Sequence, residues 1–179
     1  LCRQIVRETD ILIESAGAKL CYQEDMSSIL INGDEHLLTT LIYHLLTNAL
    51  RSLGGEVGEI SLKLVRHGSQ AMVMVQDSGN GMNDRELIAA FDPELNEADL
   101  KPLGLGLPIC RKIATLHGGA LMLTSGKMGT RVTLSLPVTD GRGAAPLRSR
   151  AVDFSGGFPP ALVAMSDVLP EDFFASEEH

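Results

Sequence analysis

The most constraining feature of this 179-residue chain is one long helical stripe in its first third. Leu38, Ile42, Leu45 and Ala49 recur at helical spacing, Asp34 stands where an N-cap belongs, and Gly54-Gly55 supplies the stop. A helix with one apolar face needs a surface to lie on, and the segments around it provide a sheet. Ile60, Leu62 and Leu64 alternate with polar neighbours, His67-Gly68-Ser69 turns, and Ala71 to Val75 forms a mostly apolar return strand. Ala120 to Thr124 and Thr130 to Leu136, joined by Gly126-Lys127-Met128-Gly129, make a second hairpin. Leu1, Ile5, Leu12 and Ala16 predict a helix closed by Gly17. Pro108 at a first helical position, Ile109, Ile113 and Leu116, with Gly118-Gly119 as stop, predict another. Lys19 to Glu24 and Ser28 to Ile31 read as two short strands, paired as a hairpin across Asp25 to Ser27, and Asp84 to Phe91 as a short helix. The expected class is α+β.

At about 150 residues per domain, the length allows one core plus an appendage. With 44% apolar residues, a chain of this size hides roughly 70% of its unfolded surface and needs no staple. Asp140 to Arg150 is rich in Gly, Ala, Pro and Arg, which predicts a linker. Val152 to Phe174 regains apolar residues. The predicted organisation is a domain over 1–139, a linker over 140–151, and a tail over 152–179 that docks on the domain or on a second copy.

Fifteen basic against 23 acidic residues give a net charge of −8, with no basic cluster and no Trp. This excludes a phosphate-backbone track and a base-stacking platform, and hence nucleic acid as a partner. Cys2, Cys21 and Cys110 stand far apart, which argues against zinc and against disulfides and for a reducing, cytoplasmic compartment. No apolar run approaches the 18 residues needed to span a bilayer, and charges interrupt the first ten residues, so neither membrane contact nor a signal peptide is expected. A start at Leu1 leads us to expect a piece of a longer chain, whose upstream segments can supply any membrane anchor.

Three clusters carry chemistry. Thr40, His44, Asn48 and Arg51 share a polar side of the long helix. Such a stripe is usually a solvated face, but an amide, an imidazole and a guanidinium on one side also suit a magnesium triphosphate. Mg²⁺ keeps waters and needs few protein oxygens, and Arg neutralises phosphate. Asp77-Ser78-Gly79-Asn80-Gly81-Met82 follows directly on a strand. Either it is a tight turn, or Asp77 accepts a hydrogen bond from an adenine amino group while the glycines let backbone approach the ring. Guanine places an oxygen at that position, and two facing acceptors cost roughly 1 to 3 kcal/mol. Gly104-Leu105-Gly106-Leu107 precedes a helix whose free N–H groups favour an anion. Each cluster is weak alone; their order, with a polar segment between the last two, is specific.

With these residues in place, the chain resembles the ATP-binding catalytic domain of bacterial sensor histidine kinases, within the gyrase, heat-shock chaperone, histidine kinase and mismatch-repair ATPase superfamily. LIYHLLTNALRSL resembles the N box, DSGNGM the first glycine box, FDP the F box and GLGLPIC the second glycine box. HGG at 117–119 and GTRVTLSLP at 129–137 resemble the closing elements. The resemblance covers most of residues 1–139. It implies a two-layer α/β sandwich of the Bergerat type, with a mixed, mostly antiparallel sheet and helices on one face. It further implies that Asn48 ligates Mg²⁺, Arg51 touches phosphate and Asp77 reads adenine. Gly79, Gly81, Gly104 and Gly106 would shape the pocket and its lid, and Met82, Phe91, Leu105, Leu107 and Thr130 would complete the nucleotide site.

The chain also departs from that family. His44 stands where members often carry Asn, and it either hydrogen-bonds phosphate or solvent or handles a proton. The gyrase-like ATPases place Glu there to activate water, so its absence favours transfer over hydrolysis. Pro102-Leu103 replaces a common extra Gly, and about ten residues separate FDP from the second glycine box, which predicts a short, mobile lid. None of the five His has the sequence surroundings of a phosphoacceptor. The expected activity is therefore transfer of the ATP γ-phosphate to a histidine on an upstream dimerisation domain, in an intact protein that can homodimerise, and onward to a response regulator. Two other readings remain open at the level of sequence: an ATP sensor without transfer, and a serine kinase of the anti-sigma-factor type.

Overall fold

In the computed structural model, which describes residues 1–25, 29–91, 106–139 and 159–170, strand alternation decides the layers. Strand β1 (Ala18–Glu24), β2 (Gly58–His67), β3 (Gln70–Asp77), β4 (Ala120–Gly126) and β5 (Gly129–Pro137) form one sheet in the order β1-β2-β3-β5-β4. β1 runs parallel to β2, and all other pairs are antiparallel. The register lines up Tyr22, Leu62, Val75, Val132 and Leu123 across all five strands. Glu24, Leu64, Val73, Leu134 and Leu121 form the adjacent row. Leu62, Val73, Val75, Val132 and Leu134 are buried, as expected for the inward half of a period-two pattern.

That inward face is covered by α1 (Cys2–Ser15), α2 (Glu35–Leu53) and α4 (Gly106–Leu116), all of which contact strands. α2 is the centre of the layer. The Asp34 side chain accepts from the Leu37 N–H, and Gly54 at φ 63 ends the helix in the left-handed region. Leu41, Ile42, Leu45 and Leu46 along it are at most 2% exposed, so this one helix supplies the middle of the core. Tyr43 on α2 donates to Glu8 on α1. Burial, with Glu8 beside it, pushes the Tyr43 hydroxyl pKa well up and keeps that donor protonated.

Two expectations about elements need correction. Lys19 to Glu24 does not pair in a hairpin with the next segment; it pairs with β2 in parallel, which requires a crossover, and α2 is that crossover. Leu20 and Tyr22 alternate toward the helices and so favour this position. Of the second segment, Ile31 makes only an isolated bridge with Val138. Pro108 is also not the first residue of its helix. α4 begins at Gly106, and Pro108 still falls in the first turn, where N–H groups have no intrahelical acceptor. The short helix α3 (Asp84–Ala89) starts at a capping box between Asn83 and Glu86. Residues 92–105, with the expected lid, and 140–158, with the expected linker, lie outside the described residues.

Residues 159–170 carry the short helix α5 (Pro160–Met165), which packs on α1 and α2 and buries Ala161, Met165 and Leu169.

One side chain clamps the helical layer. At the end of α4, His117 Nε2 accepts from the Asp34 N–H at 2.9 Å, and Nδ1 lies 2.8 Å from the Ile113 carbonyl. The neutral Nδ1–H tautomer satisfies both contacts. Removing the ring takes this acceptor from the part-buried Asp34 N–H at the start of α2. His117→Ala is expected to lower stability by about 1 to 3 kcal/mol, read as an earlier urea midpoint with unchanged slope.

Candidate functional site

β3 carries its inward alternation one step further than hydrophobicity requires. Ala71, Val73 and Val75 face the helices, and the next residue in phase is Asp77, 4% exposed at the strand end. A buried carboxylate needs donors. Ser52 Oγ on α2 donates to Asp77 Oδ1 at 2.9 Å, the Gly79 N–H at 2.9 Å, and the Thr130 N–H on β5 at 3.2 Å. All three fall on one oxygen. Among the described residues no donor engages Oδ2, which is left to accept from a ligand.

The turn after Asp77 is held by close approach. A Cβ on Gly79 would sit 2.4 Å from the Ser52 carbonyl oxygen. Gly81 has φ 69, and a Cβ there would lie 1.8 Å from the Gly126 carbonyl oxygen, so no side chain fits. Ser125 Oγ accepts from the Met82 N–H at 2.7 Å and lies 2.8 Å from Thr130 Oγ1, fixing the turn to the β4–β5 hairpin.

Between α2, the start of α4 and the sheet lies a cleft of about 300 Å³, counting the part continuous with solvent. Its walls are mainly apolar, among them Leu45, Ala49, Val75, Met82, Leu107 and Val132, with Asp77 and Thr130 toward one end and Asn48 also on its lining. That is the composition of a site for a flat, mostly apolar ring with one polar edge.

The second end is built on α2. Among the described residues Asn48 Nδ2 is buried without a hydrogen-bond partner, and such a buried donor calls for an acceptor. Arg51 Nη1 approaches Asn48 Oδ1 at 3.4 Å, and Arg51 Nη2 pairs with Asp167. Gly106, first residue of α4, stands over this group: a Cβ there would be 3.4 Å from Asn48 Nδ2 and 3.7 Å from His44 Nδ1. Burial, and then the Arg51 charge, push the His44 pKa down, while Asp167 pulls the other way. His44 is therefore neutral near pH 7. Among the described residues no three His, Cys, Asp or Glu side chains converge as a metal set. A cation here would rely on the Asn48 amide oxygen and on oxygens that a ligand brings.

The structure thus brings together Asn48, Asp77, Met82, Leu107 and Thr130 on the cleft, Gly79 and Gly81 in its turn, and His44, Arg51 and Gly106 at the Asn48 end. Thr40 is not among them: its hydroxyl donates to the His36 carbonyl. Phe91 does not line the cleft; the Arg111 guanidinium lies over its ring at 5.6 Å. Gly104 and Leu105 lie outside the described residues. Cys110 is buried, with its thiol pushed up to about 12, and supplies no thiolate. Two residues that hold the cleft together are not among the expected site residues. Ser52 lies four residues after Asn48 on the same helix side, a usable signal. Ser125 carried none.

Comparison with known proteins places these features in a wider set. Residues 33–140 match the family described as histidine kinase-, DNA gyrase B-, and HSP90-like ATPase. The sensor protein ChvG of Agrobacterium fabrum is 32% identical over 136 residues, 70% of this chain and 22% of that protein. Sensor histidine kinase RcsC of Salmonella typhimurium is 30% identical over 124 residues, 66% of this chain and 13% of that protein. The chain therefore spans less than a quarter of these relatives. Among solved structures, the catalytic domain of histidine kinase ThkA aligns with a TM-score of 0.66 at 24% identity, covering 75% of this chain and 90% of that one. ThkA in complex with response regulator protein TrrA aligns at 0.65 and 23%, covering 77% and 39%. These likenesses show the fold: a mixed five-stranded sheet with helices on one face. No described helix is long and apolar enough to cross a membrane.

The His44 environment makes a pH prediction. Its ring should titrate below the ordinary 6.5, followed by imidazole NMR, and Arg51→Ala should move the midpoint up. Because the folded state binds this proton less readily than the unfolded chain, the associated stability is intact above about pH 6.5 and falls as pH drops toward the folded midpoint. His44→Gln should flatten that part of the stability profile.

Proposed function

This chain belongs to the histidine kinase-, DNA gyrase B-, and HSP90-like ATPase family, and from that premise we propose that it is the Mg-ATP-binding catalytic domain of a sensor histidine kinase. It transfers the ATP γ-phosphate to a histidine on a dimerisation domain elsewhere in the intact, homodimeric protein, and a response regulator receives the phosphate from there. The relatives' names as sensor kinases and the ThkA complex with its response regulator support this reading. The observation that carries it is the Asp77 carboxylate, with one oxygen occupied by three protein donors and the other left over.

The residues divide the work along the cleft. Asp77 Oδ2 accepts from the adenine amino group, and Leu45, Ala49, Val75, Leu107 and Val132 enclose the ring. Met82 and Thr130 close the adenine end, and Gly79 and Gly81 let backbone come close. At the other end Arg51 meets phosphate with its planar fork. A magnesium ion here would take Asn48 Oδ1 as its protein ligand, with phosphates and water as the rest, and the buried Asn48 Nδ2 would donate to a phosphate oxygen. The ion, when bound, offsets phosphate charge and helps align the γ-phosphorus. Gly106 leaves room beside Asn48 and His44 for phosphate oxygens. His44, neutral, adds a hydrogen-bonding or proton-accepting ring there without adding charge. The incoming substrate imidazole brings its own lone pair; its nitrogen bonds to phosphorus as the bond to the β–γ bridging oxygen breaks and ADP leaves. Phosphoryl transfer of this kind rests on positioning and charge, so a carboxylate base at position 44 is not required.

Asp77→Asn tests the adenine contact. An amide that keeps its oxygen on the three donors turns its NH₂ toward the adenine NH₂, donor against donor. ATP affinity by calorimetry should fall about ten- to hundredfold, and the preference for ATP over GTP should narrow. Wild-type affinity in this variant would overturn the assignment. Supplied with labelled ATP and the dimerisation domain of the intact protein, the chain should form acid-labile phosphate. Acid-stable phosphate would indicate a serine kinase instead, and no phosphate a nucleotide sensor.

A further inference from the structure

The segment 159–170 lies beyond the family-matched residues 33–140, yet it reaches the site. α5 is only six residues long, too short to be stable alone, and its order comes from docking. Met165 is fully buried, Ala161 is 1% exposed, and Thr47 Oγ1 on α2 donates to the Ala164 carbonyl at 3.1 Å. Asp167 sits between the two apolar anchors Met165 and Leu169, on the outward side, and pairs with Arg51. The pair itself is well exposed, at 41% and 57% of the two side chains, and exposed pairs add little to docking. The apolar anchors hold the segment; Asp167 is placed by them.

We propose that residues 159–170 are an intramolecular strap that occupies Arg51 with the Asp167 carboxylate, so that strap and nucleotide phosphate compete for one guanidinium. This rests on the reading of Arg51 as the phosphate contact. Arg51 directs one nitrogen to Asn48 and the other to Asp167, so a phosphate at Asn48 gripped by both arms of the guanidinium fork takes the second from the carboxylate. A fixed carboxylate at that distance also repels the incoming charge, well inside a Debye length of about 8 Å. Because coupling between sites is reciprocal, bound ATP loosens the strap as much as the docked strap weakens ATP. A partner or an upstream element that lifts α5 off α1 and α2 would then raise nucleotide affinity without touching the cleft.

The test uses the full 179-residue chain and compares Mg-ATP with adenosine, which has no phosphate to compete. Asp167→Asn should tighten ATP about three- to fivefold, the scale of one exposed charge pair, and leave adenosine unchanged. In wild-type protein, ATP should speed amide exchange at Val163 and Val168, whose N–H groups bond within the segment, whereas adenosine should not. This second measurement needs no variant. If ATP binds but Asp167→Asn has wild-type or weaker ATP affinity, and exchange in the strap is the same with and without ATP, the strap is a structural cap and the proposal falls. If wild-type protein binds adenosine but gains nothing from the phosphates, Arg51 is not a phosphate contact, and both readings fall together. If it binds neither ligand, the ATP-site reading itself is wrong.

Discussion

A single carboxylate oxygen organises this protein. Asp77 Oδ1 takes hydrogen bonds from Ser52 on α2, from Gly79 in the turn and from Thr130 on β5, three segments far apart in the chain. A buried carboxylate left without such donors is strongly unfavourable, so the helix, the turn and the strand are held in one arrangement. The bonds that stabilise the fold therefore also aim Oδ2 into the cleft. On the proposed reading, folding and recognition share the same residue at this end of the site.

The opposite end is made differently. Asn48, Arg51 and His44 come from one side of α2, and the start of α4 stands over them. Among the described residues no network of protein bonds closes around them: the Asn48 amide nitrogen is buried and unpaired there, and Arg51 has a partially exposed partner. A rigid recognition end joined to an exchangeable charged end suits a ligand with an apolar ring and a highly charged tail. The strap, anchored by apolar contacts and tipped with one carboxylate, lies beyond the family-matched residues 33–140.

Much of this was legible beforehand, and the exceptions have a common origin. α2 with its Asp34 cap and Gly54 stop, both hairpins, and the order of the glycine turns follow from local rules, because caps, turns and strand alternation act over a few residues. The hairpin expected for β1 gives way to a parallel pair because strand partners are chosen by the sheet, and a run such as Lys19 to Glu24 fits either neighbour. Pro108 does not mark the helix start because proline is tolerated throughout the first turn, not at one position alone. Ser52 carries no local signal of its partner, because a serine on a helix meets a carboxylate only when packing brings a distant strand opposite it.

The amino-acid sequence by itself settled the α+β class, the long helix and its Asn48 side, and the position of Asp77 at a strand end. Only the tertiary structure decided that Ser52, Gly79 and Thr130 converge on one oxygen of Asp77, that the Asn48 amide nitrogen is buried and unpaired among the described residues, and that a segment over a hundred residues downstream brings Asp167 to Arg51. Periodicity and turn chemistry are properties of neighbouring residues and can be read in order along the chain. Which donor meets which acceptor across layers depends on how the elements pack, and packing is set by the whole core at once.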